Sequence, residues 1–202
     1  MNRFCYSLSS CFLLAILTAG CVSRWPTTIT FKPNGNGPLS SIKPLTVLIQ
    51  VEDQRPPEEQ DSVVNRTALI GGTDIWYTKK PVPLIVQEAL ISEFSKCGQR
   101  VVTDTSAPID ARLKIVLKRF RAFYSEAGAL SGAGVSVEAQ VDAEVAVTNE
   151  ARKATVPSLQ ISGDYQRKGL HSVGHPEKAL NEALAEFIHN LTFDSRLVEG
   201  LQ

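Results

Sequence analysis

The most regular pattern of apolar and polar residues runs from Val135 to Val147. Every odd position in this stretch is Val or Ala, and all but one of the even positions are polar. Because the side chains of a strand point alternately to its two faces, this pattern predicts a strand with one buried and one solvated face. Such a strand is typical of an antiparallel sheet that is covered on a single side.

Weaker alternation predicts further strands on both sides of this one. Small residues at 128–134 and a polar turn at 149–153 separate it from its neighbours, so we expect three long strands to form an antiparallel meander. Pro56 and Pro57 end the first strand because proline lacks the N–H that sheet pairing needs, and a polar loop follows to about Arg66. The predicted strands cover residues 45–51, 68–77, 101–102, 111–124, 135–147 and 159–165.

Two segments carry apolar residues at helical spacing. Residues 81–97 repeat them at intervals of three and four, and Gly98 stands where a left-handed cap would end the helix. Residues 176–194 have a similar apolar stripe, with charged residues away from it. Helices of this kind suit the apolar face of a one-sided sheet. We therefore predict an α+β fold, a two-layer sandwich with a mostly antiparallel meander sheet and two amphipathic helices on one face.

The N-terminus, residues 1–20, has the pattern of a secretory signal peptide. Arg3 supplies a basic region, an apolar stretch covers residues 12–17, and small residues lead to Cys21. The apolar stretch is shorter than the roughly 20 residues that cross a bilayer. The run from Leu17 to Cys21 resembles the bacterial lipobox, which implies cleavage between Gly20 and Cys21 and acylation of Cys21. Ordinary secretion, with Cys21 as a chance residue, is the alternative.

The mature chain is predicted to consist of a tether and one domain. Residues 21–44 begin with the lipidated Cys21 and are rich in Pro, Gly, Ser and Thr, which indicates a flexible tether with a short strand at 28–31. Residues 45–202 form a single periplasmic α+β domain. Val22 stands where an Asp would favour the inner membrane, so resemblance to that sorting pattern implies an anchor in the outer membrane.

Composition agrees with one globular domain and excludes several classes of function. Hydrophobic residues make up 43% of the 202 positions, and 21 basic side chains balance 21 acidic ones. Without a basic excess, the chain lacks the electrostatic footprint of a nucleic-acid binder. Cys5 and Cys11 leave with the signal peptide and Cys21 is consumed by lipid, so Cys97 has no partner for a disulfide.

Asp53 and Arg55, at the end of the first strand, are the strongest candidate site. They either mark a binding loop or form an ion pair that fixes the loop. His171 and His175 have the spacing of metalloprotease ligands, but Gly174 interrupts the helix that such ligands need. No set of nucleophile, base and orienting residue is apparent. We therefore predict no metal, no cofactor and no catalytic residue.

Charged residues are expected to pair across the solvated face of the sheet. The basic members lie on the strand at 111–124 and the acidic members on the strand at 135–147. Cross-strand pairs of opposite charge contribute ~0.2 to 1 kcal/mol each. A mutually neutralised face is favoured over a surface that binds a partner. The residues are Arg112, Lys114 and Lys118 against Glu138, Asp142 and Glu144.

Several short motifs together resemble the YajG-type bacterial lipoproteins. They are Pro26-Thr27-Thr28-Ile29, Asp53-Gln54-Arg55, and the helical segments at 85–90 and 179–184. The resemblance covers nearly the whole mature chain and implies an envelope lipoprotein without an assigned activity. We expect a lipid-anchored, non-catalytic module that binds or scaffolds an envelope protein. The alternative is an auxiliary lipoprotein of an envelope transporter of lipid or ABC type, which requires an apolar groove.

Overall fold

The structure, a computed structural model, describes residues 22–67, 73–105, 107–126, 134–169 and 175–202. The predicted signal peptide, its cleavage site at Gly20 and Cys21, and His171 lie outside these residues. In the described part of the chain, eight strands form one sheet. They are β1 (Val22–Thr27), β2 (Thr46–Asp53), β3 (Val64–Thr67), β4 (Thr73–Thr78), β5 (Arg100–Val102), β6 (Ala111–Ser125), β7 (Val135–Asn149) and β8 (Ala154–Gly169).

Four α-helices accompany the sheet within the same residues. The two long ones confirm the helices predicted from the apolar spacing, and Gly98 takes the positive φ expected of a cap, 86°. The helices are α1 (Pro57–Gln60), α2 (Val82–Lys96), α3 (Pro176–Phe193) and α4 (Ser195–Leu201).

Strands β6, β7 and β8 form the antiparallel meander that the sequence predicts. Ile115 lies opposite Val145, and Ala143 lies opposite Ile161. Since residues in register share a face, the apolar sides of the three strands coincide. The alternating pattern therefore identifies both the strands and the buried face of this part of the sheet.

The other edge of β6 carries parallel strands, which the sequence analysis did not predict. β2 pairs with the first half of β6 and β3 pairs with its last residues, both in parallel. Further parallel pairs join β5 to β2 and β1 to β4. Parallel neighbours need a crossover connection, and α2 lies on the one between β2 and β5. The fold is therefore mixed α/β, with a mostly antiparallel sheet that includes parallel pairs.

A bulge in β6 shifts its pairing by one residue. Leu117 lies opposite Ala143, but Arg119 lies opposite Asp142, so Lys118 is an extra residue. The buried face consequently passes from odd positions before the bulge to even positions after it, and Phe120 is fully buried. A single alternation along residues 111–124, as predicted from the sequence, therefore holds only before the bulge. The signal was present as two adjacent polar residues between Leu117 and Phe120.

Helices α2, α3 and α4 pack against the apolar face of the sheet through one continuous core, whereas α1 has no buried residue. Phe94 of α2 and Phe187 of α3 are fully buried in it. α3 passes close over Gly163 of β8, where a Cβ atom would lie 2.2 Å from the carbonyl oxygen of Ala183. Only a residue without a side chain allows this approach of helix to strand.

The short helix α4 extends the fold beyond the predicted end of the last helix. Asp194 separates the two helices, and its Oδ1 atom accepts a hydrogen bond from the backbone N–H of Arg196 at 2.9 Å. Aspartate is a favoured N-cap because it satisfies such N–H groups. Leu197 and Leu201 are fully buried, so α4 closes one end of the core.

The segment predicted as a flexible tether packs against the domain instead. β1 begins at Val22 and pairs with β4, so the short strand lies at 22–27 and not at 28–31. Residues 28–45 then form a strap along the helices, and Leu39 in this strap is fully buried. Its Pro, Gly, Ser and Thr content indicated a tether because composition does not reveal contacts with distant parts of the chain.

Candidate functional site

Asp53 and Arg55 meet in a bidentate ion pair at the end of β2. The Nε atom of Arg55 donates to Oδ1 of Asp53 at 2.9 Å, and Nη2 donates to Oδ2 at 2.8 Å. The backbone N–H of Arg55 also donates to Oδ1, at 3.2 Å. The Arg55 side chain is buried, whereas that of Asp53 is partly exposed. Bidentate pairing gives both strength and a defined geometry.

Arg55 also holds the loop that follows β2. Its Nη1 atom donates to the carbonyl oxygen of Glu59 at 2.7 Å, and the Gln60 side chain donates to the carbonyl oxygen of Arg55 at 2.8 Å. These bonds fix α1, which together with β3 occupies the region predicted as a polar loop. Of the two alternatives, the geometry is that of an ion pair that fixes the loop.

The pKa of Asp53 agrees with this structural role. Burial raises the pKa, but the hydrogen bonds and the positive charge of Arg55 outweigh burial and hold the pKa below its usual value. Asp53 is therefore ionised at neutral pH and balances the buried guanidinium. A carboxylate with a lowered pKa is a poor proton donor or acceptor near pH 7.

The predicted pairing of charges across the sheet is present in part. Lys118 lies 3.6 Å from Glu144. Because of the bulge, the partner of Asp142 is Arg119, at 3.7 Å. Burial raises the pKa of Asp142, and the Arg119 charge opposes that shift without cancelling it.

The remaining basic residues of the predicted row have partners outside β7. Lys114 pairs with Glu52 of β2 at 3.0 Å, and Arg112 pairs with Glu150 in the turn after β7. Glu138 accepts a hydrogen bond from the side chain of Gln166 on β8. Ion pairs on the polar face thus join β6 to β2, to β7 and to the turn after β7, because β6 has neighbours on both sides.

A groove of about 470 Å³ lies on the sheet, over residues 121–123 of β6 and the neighbouring residues of β7 and β8. Phe123 is 46% exposed there, on the solvated face of the sheet. Arg121, beside it, is held by the Glu59 carboxylate at 3.0 Å. An exposed ring flanked by both signs of charge suits contact with another protein. The polar and aromatic lining includes Arg121, Phe123, Glu138, Gln140, Asp164 and Gln166.

A second groove of about 470 Å³ lies between the strap and α2. Its apolar lining includes Ile29 and Phe31 of the strap and Ile85 of α2. The ion pair of Lys80 with Glu88, at 2.7 Å, stands at its edge. The transporter alternative requires an apolar groove, and this groove between the strap and α2 has an apolar lining in part.

Glu93 holds the strap on α2, and the sequence analysis did not identify it. Its Oε2 atom accepts from the backbone N–H of Asn34 at 2.7 Å, and Oε1 accepts from that of Gly35 at 2.9 Å. Gly35 has a φ of 67°, and a Cβ atom there would lie 2.2 Å from the Lys96 side chain. Its position was a sequence signal for this role, because Glu93 falls among the buried apolar positions of α2.

Cys97, His175 and His189 contact neighbouring side chains of the fold. Burial and the neighbouring Glu93 carboxylate raise the pKa of the Cys97 thiol. The ring of His175 stacks on Trp76 at 5.8 Å, and that of His189 lies 4.2 Å from Phe193. Among the described residues, no group of three His, Cys, Asp or Glu side chains is placed to hold a metal ion.

No helix in the described ranges is long and apolar enough to cross a membrane. A scan of models of known protein families finds none that matches the chain. A search of the curated proteins likewise finds no match.

Among solved structures, the chain is similar to a Xanthomonas campestris protein of the family DUF330. The identity is 14% and the TM-score 0.56, over 88% of this chain and 96% of that chain. A provisionally assigned lipoprotein from Caulobacter crescentus CB15 has 11% identity and a TM-score of 0.37, over 71% of this chain and 94% of that chain. The similarity to the Xanthomonas protein indicates a shared fold.

Proposed function

We propose that the chain is a lipid-anchored lipoprotein of the bacterial envelope that acts as a non-catalytic binding or scaffolding module. The observation that carries the proposal is the Leu17–Cys21 segment, which resembles a lipobox and directly precedes β1. The YajG-type motifs support it, and Val22 after the cysteine favours the outer membrane, facing the periplasm. In this role the domain is a two-layer sandwich whose polar sheet face meets a protein partner.

Mass spectrometry of the full-length protein purified from bacterial envelopes tests the anchor. We expect an N-terminal peptide that begins at acylated Cys21. Cys21→Ser should abolish acylation, whereas Cys97→Ser should leave it intact because Cys97 lies outside the lipobox. A mature N-terminus elsewhere, or an unmodified Cys21, would contradict the proposal.

Site-specific crosslinking tests the binding face. A photoreactive amino acid at Phe123 is expected to capture an envelope protein in intact cells. The matched control is the same amino acid at Leu84, which is also exposed and apolar but lies on α2. Capture of the same protein from both positions, or from neither, would argue against the polar sheet face as the binding surface.

A second candidate function, an auxiliary lipoprotein of an envelope transporter, is favoured by the groove between the strap and α2. Its apolar residues Ile29, Phe31 and Ile85 provide a surface for an acyl chain. Lipid analysis of the purified protein tests this candidate. We expect stoichiometric phospholipid that is lost in Ile85→Glu and kept in Leu84→Glu, because Leu84 is outside the groove lining. Purification without lipid would exclude this role for the groove.

A further inference from the structure

Six strands begin or end in one row at the end of the sheet where β1 starts. The row is defined by pairing: each of its residues lies opposite the next one on the neighbouring strand, from the first residue of β1 to the last residues of β8. With strands about 4.8 Å apart, this row is about 24 Å wide. In order, the residues are Val22, Thr73, Thr67, Ser125, Ser136 and Lys168. We call this set the Val22 row.

No linker residue separates the Val22 row from the proposed anchor, Cys21. Cys21 is the neighbour of Val22, and adjacent Cα atoms are about 3.8 Å apart. β1 is fixed to β4 by six residue pairs that start at Val22 itself. An acylated Cys21 would therefore hold this end of the sheet, and not a distant part of the domain, against the leaflet.

The strand nearest the anchor exposes two large apolar side chains, and Arg24 on the same strand and Lys168 at the far end of the row are exposed as well. Val22 is 59% exposed and Trp25 is 55% exposed, on the strand nearest the anchor. Tryptophan is favoured at the boundary between lipid and water. At the opposite end, three of the four residues from Glu150 to Lys153, which join β7 to β8, are charged.

The sequence repeats this difference. The three connections between strands of the Val22 row, or from the row to α3, are residues 68–72, 126–134 and 170–175. They contain one charged residue, Glu126, whose carboxylate is paired with Arg66. Uncharged residues are far less costly than charged ones to bring near hydrocarbon.

We infer that the Val22 row lies on the surface of the leaflet that holds the Cys21 acyl chains, with the meander standing away from the membrane. This inference rests on the proposed lipid anchor. The turn between β7 and β8 is then about 45 Å from the bilayer, because β7 rises by about 3.4 Å per residue from Ser136 to Asn149. The polar sheet face is consequently presented sideways to the periplasm.

Fluorescence quenching in reconstituted vesicles tests this orientation. Acylated full-length protein carrying Cys97→Ala has no free thiol, so a fluorophore can be placed at Lys168→Cys or at Arg152→Cys. Both positions are exposed, and each substitution removes one positive charge. The vesicles contain phosphatidylethanolamine, phosphatidylglycerol and a lipid with a nitroxide in its headgroup. We expect quenching several-fold stronger at position 168 than at position 152.

A second pair of labels guards against a local effect of either substitution. Gln166→Cys and Thr155→Cys are both exposed on β8, near its two ends, and should repeat the same contrast. Equal quenching at the two ends, stronger quenching at position 152, or no quenching at position 168 would overturn the inference. The mass of the N-terminal peptide separates these outcomes from failure of the proposed anchor, since only protein with acylated Cys21 is reconstituted.

Discussion

At the scale of single residues, the described part of the chain buries two charged side chains and gives each of them partners. Arg55 donates to Asp53 and to a backbone carbonyl group, and Glu93 accepts from two backbone N–H groups. Removing one partner of a buried charge is strongly destabilising because the other group stays desolvated. We therefore expect substitutions that break the contacts of Arg55 or Glu93 to lower the free energy of unfolding more than substitutions of exposed charged residues.

Asp53→Asn is expected to lower the free energy of unfolding by roughly 2–4 kcal/mol, because Arg55 would remain buried without an anionic partner. Urea denaturation of the mature chain measures the loss. Glu52→Gln is the matched control: its carboxylate is one residue away but exposed, so its effect should stay within about 0.5 kcal/mol. Equal losses in the two variants would argue against the ion pair as the brace of this loop.

The same ion pair predicts a dependence on pH. Because the folded pKa of Asp53 lies below its usual value, the ionised carboxylate stabilises the fold above the pKa of the unfolded chain. That contribution disappears as the pH falls through the lower folded pKa. The stability difference between wild type and Asp53→Asn should be full at pH 7 and shrink below about pH 4. Urea titrations across this range check it, and a constant difference would be the contrary result.

At the scale of elements, the bulge at Lys118 keeps both halves of β6 facing the core. Deleting Lys118 should unfold the domain or abolish its cooperative transition, because every residue on one side of the deletion would turn to the opposite face. Lys118→Ala keeps the residue count and should cost less than about 1 kcal/mol, since an exposed ion pair with Glu144 and an exposed hydrogen bond to Gln54 are lost. Circular dichroism with urea denaturation compares the two, and a stable deletion variant would show that the bulge is dispensable.

The carboxylate of Glu93 holds the strap on α2 through two hydrogen bonds. Glu93→Gln should destabilise the domain by roughly 1–3 kcal/mol, because an amide offers only one accepting oxygen to two partly buried N–H groups. Hydrogen exchange should accelerate at Asn34 and Gly35 in particular. Glu88→Gln, on the exposed side of the same helix, is the control. Unchanged exchange in the strap of Glu93→Gln would mean that apolar contacts alone retain it.

At the scale of the whole molecule, one core joins the strap, the sheet and the helices. We therefore expect a single unfolding transition. Fluorescence of Trp25 and Trp76 reports on β1 and β4, whereas far-ultraviolet circular dichroism reports on the entire chain, and the two urea midpoints should coincide. An earlier transition in fluorescence would show that the strands nearest the anchor unfold separately.

The candidate site was predictable where its residues are near one another in sequence. Asp53 and Arg55 are two positions apart at a strand end, so their pairing followed from local geometry. The contact of Arg121 with Glu59 joins residues 62 positions apart, and its existence depends on α1 folding onto the sheet. The grooves beside Phe123 and Ile85 are likewise products of packing, which no local pattern contains.

By itself, the sequence determined the three-stranded meander, the two long helices and the lipobox-like N-terminus, because alternation, helical spacing and short motifs depend on residues a few positions apart. Only the tertiary structure decided that strands pair in parallel on the second edge of β6 and that residues 22–44 pack against the domain. The hydrogen bond of Asn34 to Glu93 connects residues 59 positions apart. Such contacts form only when the whole core assembles, and so composition along the chain does not reveal them.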